Sequence, residues 1–435
     1  MKVSASLPLY DELVNNFESQ NISEVDFFNE KRKEGFENFK RLGFPTRKHE
    51  DWKYTGVTSF LNDEFSTSEF LNTKVDESYF SQFAIPEMDC YEFVLLNGKL
   101  QHHAKELPEF IRVRSINDIK DDRVAATKFG SATDIDSTFA ALNTAMFTDG
   151  FYLEIEAGAI LEKPLHIIHL FKNDENAFIQ PRNLVIIGRG ASISILESFV
   201  SEEGNSKLFI NNLVEVVANE NSFVDHYILE VLKSGSRLVN QTDVSVARSC
   251  VYNNYTFSLP GAELIRNNLN VNLDSSSTEA HLFGLYLGAG NQLIDNHSMV
   301  NHKLPNCDSN EIYKGVLLDN STGVFNGKIY VHHDAQKTNA FQQNNNLLLS
   351  NKAVINTKPQ LEIFADDVKC SHGTTVGQLS TEALFYLRSR GIGENSARAL
   401  LVNAFAFDVT SKIKIPELKK YVNSLITKHI PGNSL

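Results

Sequence analysis

The chain has 435 residues, 42% of them hydrophobic, which is enough apolar material for a large core and two or three domain-sized units. Its 54 acidic residues outnumber 41 basic ones, and a formal net charge of −13 disfavours nucleic acid as a partner. Cys90, Cys250, Cys307 and Cys370 stand far apart with no CxxC pair, so reduced thiols in a cytoplasmic protein are expected, not a disulfide framework.

Met1-Lys2-Val3-Ser4 runs into Asp11 and Glu12 without an apolar signal core. No run approaches the roughly 18 apolar residues that span a bilayer. The expectation is a protein neither secreted nor membrane-embedded. From there the hydrophobic period divides the chain into three regions: 1–145, 146–379 and 380–435.

The first region mixes helical patterns with loops. Phe27, Phe28, Phe36 and Phe39 recur near helical spacing and predict a helix over Glu24–Leu42, with Ser23 as N-cap and Gly43 and Pro45 as the stop. Tyr91–Leu100 (YEFVLLNGKL) reads as strand, Asn-Gly turn, strand. A short helix is expected over Thr138–Phe147.

The second region alternates with period two. Tyr227, Leu229 and Val231, then Tyr255, Phe257 and Leu259, Leu269, Val271 and Leu273, and Phe283, Leu285 and Leu287 each line one face of a strand. Before them sit polar pairs: Asn211-Asn212, Asp225-His226, Asn240-Gln241, Asn253-Asn254, Asn267-Asn268 and Asp295-Asn296, recurring about every 14 residues. A strand-sized repeat of this length marks a repetitive β architecture. A β-helix with asparagine at its corners is favoured over an antiparallel meander, which needs more glycine turns than these repeats contain. One repeat fits either a full coil or half of a flattened one. The open end of a β-helix presents unpaired strand amides and needs a cover.

The third region is helical. Ser380 caps a helix carrying Ala383, Leu384 and Leu387 and ending at Gly391; a second helix covers Asn395–Ile413, and a third starts after Pro416. Their apolar faces suit either capping of the core or docking of a partner.

No nucleotide-binding loop is present. Gly323–Ile329 has one residue too few between its glycines for a Walker A loop and no Ser or Thr after Lys328, so it reads as a turn. Among the histidines, His332-His333 and the pair His166 and His169 point to opposite strand faces, and His297 and His302 are unevenly spaced. Hydrogen-bonded or surface imidazoles are expected for all of them. Lys369-Cys370-Ser371-His372-Gly373 differs: residues two apart on a strand share a face, so Cys370 and His372 can meet one soft metal, with Glu362, Asp366 and Asp367 nearby. Two ligands leave a four-coordinate site incomplete, as when the rest come from another chain. The competing reading is a buried cysteine behaving as a small hydrophobe, with His372 hydrogen-bonded in a turn before Gly373.

The stretch from Pro359 to Gln378 (PQLEIFADDVKCSHGTTVGQ), followed by Leu384–Ile392 (LFYLRSRGI), closely resembles the SufB/SufD family of iron–sulfur cluster assembly proteins. Arg47–Thr55 (RKHEDWKYT) after Gly43-Phe44-Pro45 is similar to the SufD-type N-terminal motif, and Asp149-Gly150-Phe151, Gly158 and Lys163-Pro164 resemble the segment leading into the family's core. The sister SufB type looks longer, carries more cysteines, and has Glu-His-Glu-Ala where this chain has Cys370–Gly373. The resemblance implies a mainly β protein: a right-handed parallel β-helix core flanked by N- and C-terminal helical regions. It also implies a non-enzymatic scaffold subunit that pairs edge to edge with a SufB-type paralogue and docks a SufC-type ABC ATPase through its C-terminal helices. No stable cofactor is implied for the chain alone. Transient iron or a nascent cluster at the interface is implied, with His372 as the better ligand and Cys370 as its companion. A polysaccharide-acting β-helix enzyme and a purely structural homodimer are the alternatives; the first lacks paired carboxylates, since Asp366 and Asp367 are adjacent and oppose on a strand.

Overall fold

The computed structural model describes residues 7–19, 27–67, 75, 77–103, 106–119, 122–172, 175–204 and 206–430. Helices α1 (Pro8–Ser19) and α2 (Phe27–Leu42) open the chain, so the expected Ser23 cap lies outside the described residues. Short helices α3 (Glu77–Phe80) and α4 (Arg123–Lys128) and the buried α5 (Thr138–Met146) follow. Strands β1 (Tyr91–Leu96), β2 (Lys99–His103) and β3 (Ile111–Ser115) are interspersed among them. The hairpin β1–β2 turns at Asn97 and Gly98, both at positive φ, as the Asn-Gly pair predicts.

The solenoid strands run β4 (Phe151–Ile155), β5 (Leu165–Phe171), β6 (Ala177–Ile179), β7 (Arg182–Ile187), β8 (Ser192–Ser201), β9 (Leu208–Ala218) and β10 (Phe223–Val231). They continue as β11 (Ser236–Val246), β12 (Val251–Ser258), β13 (Leu264–Leu273), β14 (Glu279–Gly288) and β15 (Leu293–His302). The last are β16 (Asp308–Leu317), β17 (Thr322–Val331), β18 (Thr338–Leu348), β19 (Val354–Ile363) and β20 (Val368–Gly377). Helices α6 (Thr381–Ser389), α7 (Glu394–Thr410) and α8 (Pro416–His429) close the chain. Two ten-stranded sheets face each other: β2-β1-β5-β8-β10-β12-β14-β16-β18-β20, and β19-β17-β15-β13-β11-β9-β7-β4-β3 with β6 joined to β9. All neighbours pair in parallel except β1–β2 and β3–β4. This is the expected β-helix, about eight turns long. Phe223 stands beside Val251 and Val251 beside Glu279, a step of 28 residues, so one 14-residue repeat is half a flattened coil.

The polar pairs do not sit at corners. They lie inside strands, where alternation sends one member into the lumen and the other outward. Inside, Asn183 donates to Asn212 at 2.9 Å and Asn212 to Asn240 at 2.8 Å, while Asn267 donates to Asn296 at 3.1 Å. Each of these buried amides thus finds a partner of its own residue type one coil away. The corners use left-handed residues instead, among them Asn221, Ser249, Ser277, Asn306 and Asp319. Segment Gly323–Ile329 is no turn either: it runs within β17, and a Cβ on Gly327 would collide with the Gln342 amide at 2.2 Å, so the glycine makes room in the lumen.

Both faces of the first sheet are apolar. Tyr227, Leu229, Tyr255, Phe257, Phe283 and Leu285 point outward and are covered by Val402, Ala406, Val409, Leu418 and Val422 of α7 and α8. Ile193, Ile195, Val224, Ile228, Ala280 and Leu282 of the same sheet point into the lumen, where they meet Leu269, Val271 and Leu273 of β13 in the second sheet. Lys414 Nζ grips both carboxylate oxygens of Asp225, at 2.8 and 2.9 Å, and Lys314 Nζ donates to the Phe405 carbonyl at 2.9 Å and to Asp408. These helices therefore lie along a sheet face and do not cap an end. On the opposite sheet, the Arg47–Thr55 motif docks through Trp52, whose ring lies 4.1 Å from the Arg266 guanidinium. Arg266 reaches Asp295 at 2.6 Å and the Asp51 carbonyl at 2.7 Å. Burial opposes ionisation of Asp295, but Arg266 and His297 outweigh it and hold the carboxyl well below the usual range.

The lumen also buries acids. Glu311 accepts from Ser298 and from Gln342 at 2.6 Å, yet burial pushes its carboxyl up to about 7. A folded-state pKa above the unfolded one contributes stability at low pH that is lost as pH rises toward 7. Glu311→Gln should therefore gain stability relative to wild type between pH 5 and 8, by roughly 3 kcal/mol. Chemical denaturation at both pH values tests this; a difference that does not change with pH would exclude Glu311 as the titrating group.

Candidate functional site

The solenoid ends in an open rim. Among the described residues, β19 pairs only with β17, and β20 only with β18. Each edge is ten residues long, and from Ser371 to Gly377 every residue of β20 is exposed. The two edges differ in their protection. β19 carries Pro359, which edge strands tolerate, and its Lys358 is held by Glu50 of the N-terminal region at 2.6 Å. β20 has no proline and a single charged residue, Lys369. A long, flat strand without such guards is a template for another chain. Apolar side chains crowd the same rim: Val354, Ile363, Phe364 and Val376 are 47%, 38%, 55% and 50% exposed.

Cys370 and His372 both lie on β20. Their neighbours in register are Ala340 and Gln342, both buried on the lumen side, so the two side chains share the face that closes the last coil. Cys370 is half-buried against the terminal core of Ile329, Val331 and Ala340, whereas His372 is exposed. Burial pushes the Cys370 thiol up, with partial relief from the Ala340 backbone. The nearby acids do not join them. Glu362 is paired with Lys328 at 2.7 Å, and Asp366 and Asp367 sit in the turn before β20. Among the described residues, the one group of three His, Cys, Asp or Glu ligand atoms within 4.8 Å is Cys90, Glu92 and His166, elsewhere in the fold.

Most of the other histidines make internal hydrogen bonds. His169 and His226 flank Glu197 in the lumen at 2.7 and 2.8 Å, His302 meets Ser309 at 2.9 Å, and His332 meets Asn301 at 2.8 Å. His297 pairs with Asp295 at 3.0 Å. A polar groove of about 700 Å³ lies between the N-terminal region and the outer face of the second sheet, lined by Asp51, Trp52, Asp243, Arg266 and His297 among others.

A second exposed surface follows directly. Ser380 accepts from the Ala383 amide at 3.1 Å, as its position predicts, and starts α6, none of whose residues is buried. Phe385 and Tyr386 are 75% and 58% exposed, and Leu400 and Phe407 of α7 are 50% and 58% exposed. Phe405 packs inward instead, with Lys314 Nζ 4.5 Å above its ring. The sequence stripe Ala383, Leu384 and Leu387 does not reveal Phe385 and Tyr386 as the outward pair.

The motif described as "SUF system FeS cluster assembly, SufBD core domain" matches residues 170–405, and "SufBD protein N-terminal region" matches residues 6–167. The chain belongs to the SufBD family. It is 32% identical to the iron–sulfur cluster assembly SufBD family protein of Synechocystis sp., covering 87% of this chain and 86% of that one. It is 29% identical to the iron–sulfur cluster assembly protein SufD of Escherichia coli over 91% of both chains, and 26% identical to the chloroplastic protein ABCI7 of Arabidopsis thaliana over 89% of this chain and 82% of that one. It is thus a SufD-like iron–sulfur cluster assembly protein. No helix among its described residues is long and apolar enough to cross a membrane.

Thiol burial in this SufBD-family chain sets an order of reactivity. Cys370 and Cys90 are part-exposed, whereas Cys250 and Cys307 are buried. Brief treatment of the native protein with a thiol reagent should label Cys370 first, because burial and the neighbouring Glu92 and Asp89 push the Cys90 thiol up to about 12. Mass spectrometry of the peptides checks this, and early labelling of Cys250 would contradict the sealed lumen.

Proposed function

We propose that this chain is the SufD-type half of a cytoplasmic, non-enzymatic scaffold. In this reading a SufB-type paralogue adds its own terminal coil to β19 and β20, and a SufC-type ABC ATPase docks on α6 and α7. Iron and a nascent cluster, as cargo, are held transiently where Cys370 and His372 meet ligands from the paralogue. One observation carries the reading: an incomplete pair of soft ligands sits on the unguarded edge strand of an open solenoid end. Main-chain hydrogen bonds across such an edge give affinity, and the alternate side chains give specificity. Desolvation of the rim by a partner would also strengthen the hold of a thiolate and an imidazole on a metal. Nucleotide chemistry is assigned to the ATPase, because the nearest glycine pair in this chain is spent inside β17.

Without the paralogue, the same edge can pair with a second copy, and a homodimer of the isolated chain would leave the assignment unchanged. Co-expression with the genomic neighbours should bring down both a β-rich paralogue and an ATPase. His372 is exposed, so His372→Ala should assemble normally yet lower cluster yield on the complex by about tenfold or more. Full reconstitution by the variant would remove His372 from the site.

The helical surface has its own test. Leu400→Asp with Phe407→Asp should leave folding within about 0.5 kcal/mol, since both side chains are largely exposed. ATPase affinity should fall at least 30-fold, a loss of about 2 kcal/mol, if these are anchor residues. Unchanged affinity in calorimetric titration would reassign the face.

A further inference from the structure

A second cluster of ligating side chains lies at the other end of the molecule. Cys90 immediately precedes β1, and Glu92 follows two residues later on the same face. Glu92 stands in register with His166 of β5 across a parallel pair. Their neighbours Phe93, Leu165 and Ile167 face the lumen, so Cys90, Glu92 and His166 share the outer face of the sheet. Each brings one ligand atom within 4.8 Å of the others.

The imidazole is prepared for more than packing. His166 is fully buried, its Nε2 is 2.8 Å from the Ser198 hydroxyl, and its Nδ1 is buried without a partner. When the Ser198 hydroxyl accepts from Nε2–H, Nδ1 is left as a lone-pair donor, the usual support behind a metal-bound histidine. An orphaned ring nitrogen inside a fold is otherwise a net cost. Cys90 and Glu92 are only partly buried, which leaves a way in from solvent.

We propose that Cys90, Glu92 and His166 form a binding site for a divalent transition cation of the zinc or ferrous class. One sulfur, one nitrogen and one carboxylate oxygen suit that borderline class, and three protein ligands leave a fourth position to water. Bonds of about 2.0–2.3 Å place tetrahedral ligands about 3.3–3.8 Å apart, so side-chain rotation at Cys90 and Glu92 must close the remaining ångström. Ligation forms the sulfur–metal bond as the Cys90 thiol proton leaves to solvent. The bound ion would clip the N-terminal hairpin to the first coil. Seven strand steps of about 4.8 Å, roughly 34 Å, separate β5 from β20, so this site is independent of Cys370 and His372.

Cobalt(II) titration of the reduced, metal-free full-length protein tests the site through its thiolate-to-cobalt charge-transfer absorption. One equivalent should bind, and zinc(II) should displace it. The band should vanish in Cys90→Ser and remain in Cys370→Ser combined with His372→Ala. Glu92→Gln, a change at a part-exposed position that preserves the fold, should weaken binding at least tenfold. Ser198→Ala, acting through the imidazole, should weaken it about 10- to 100-fold with the band retained. Absence of the band in wild type, its persistence in Cys90→Ser, or unchanged affinity in Glu92→Gln overturns the proposal.

Discussion

Parallel stacking of one coil on the next is the constraint from which the remaining features follow. Each strand satisfies its amides only through the strands before and after it, so register must repeat faithfully over hundreds of residues. The lumen asparagines enforce that register. A slip by one residue would turn the whole file outward and leave amides unpaired among apolar side chains. A stack of this kind has no internal way to finish, which makes its last strand chemically different from every other.

The chain answers this problem unequally. At the beginning, the hairpin β1–β2 and the antiparallel β3 extend the two sheets and end them with short strands. Among the described residues nothing comparable occurs at the far end, and β20 has no strand partner beyond β18. That strand also carries a thiol, Cys370, and an imidazole, His372, on one face.

Much of this was legible in the residues. Period-two alternation and a recurring polar pair foretold stacked β coils, and the Asn-Gly hairpin, the Ser380 cap and the helix around Thr138 appear where local chemistry puts them. The polar pairs misled in position, because asparagine favours both turns and in-register side-chain ladders, and composition alone does not separate the two. Period two also does not tell inside from outside when both faces are covered, so Tyr227, Tyr255 and Phe283 lie under α7 and α8. Gly323 and Gly327 read as a turn because glycine's need for lumen space depends on Gln342 and Leu317, distant in sequence. The same holds for Cys90, Glu92 and His166: the first two are near neighbours, but the third reaches them only through strand pairing.

Gln378, Leu379 and Ser380 are all that separate β20 from α6. A linkage of three residues has little slack, so a body gripping the exposed helix holds the rim strand on a short leash. Work done at Phe385 and Tyr386, for instance by a nucleotide-driven clamp, would reach the ladder of β18 and β20 as tension and could peel or reseat its outermost strand.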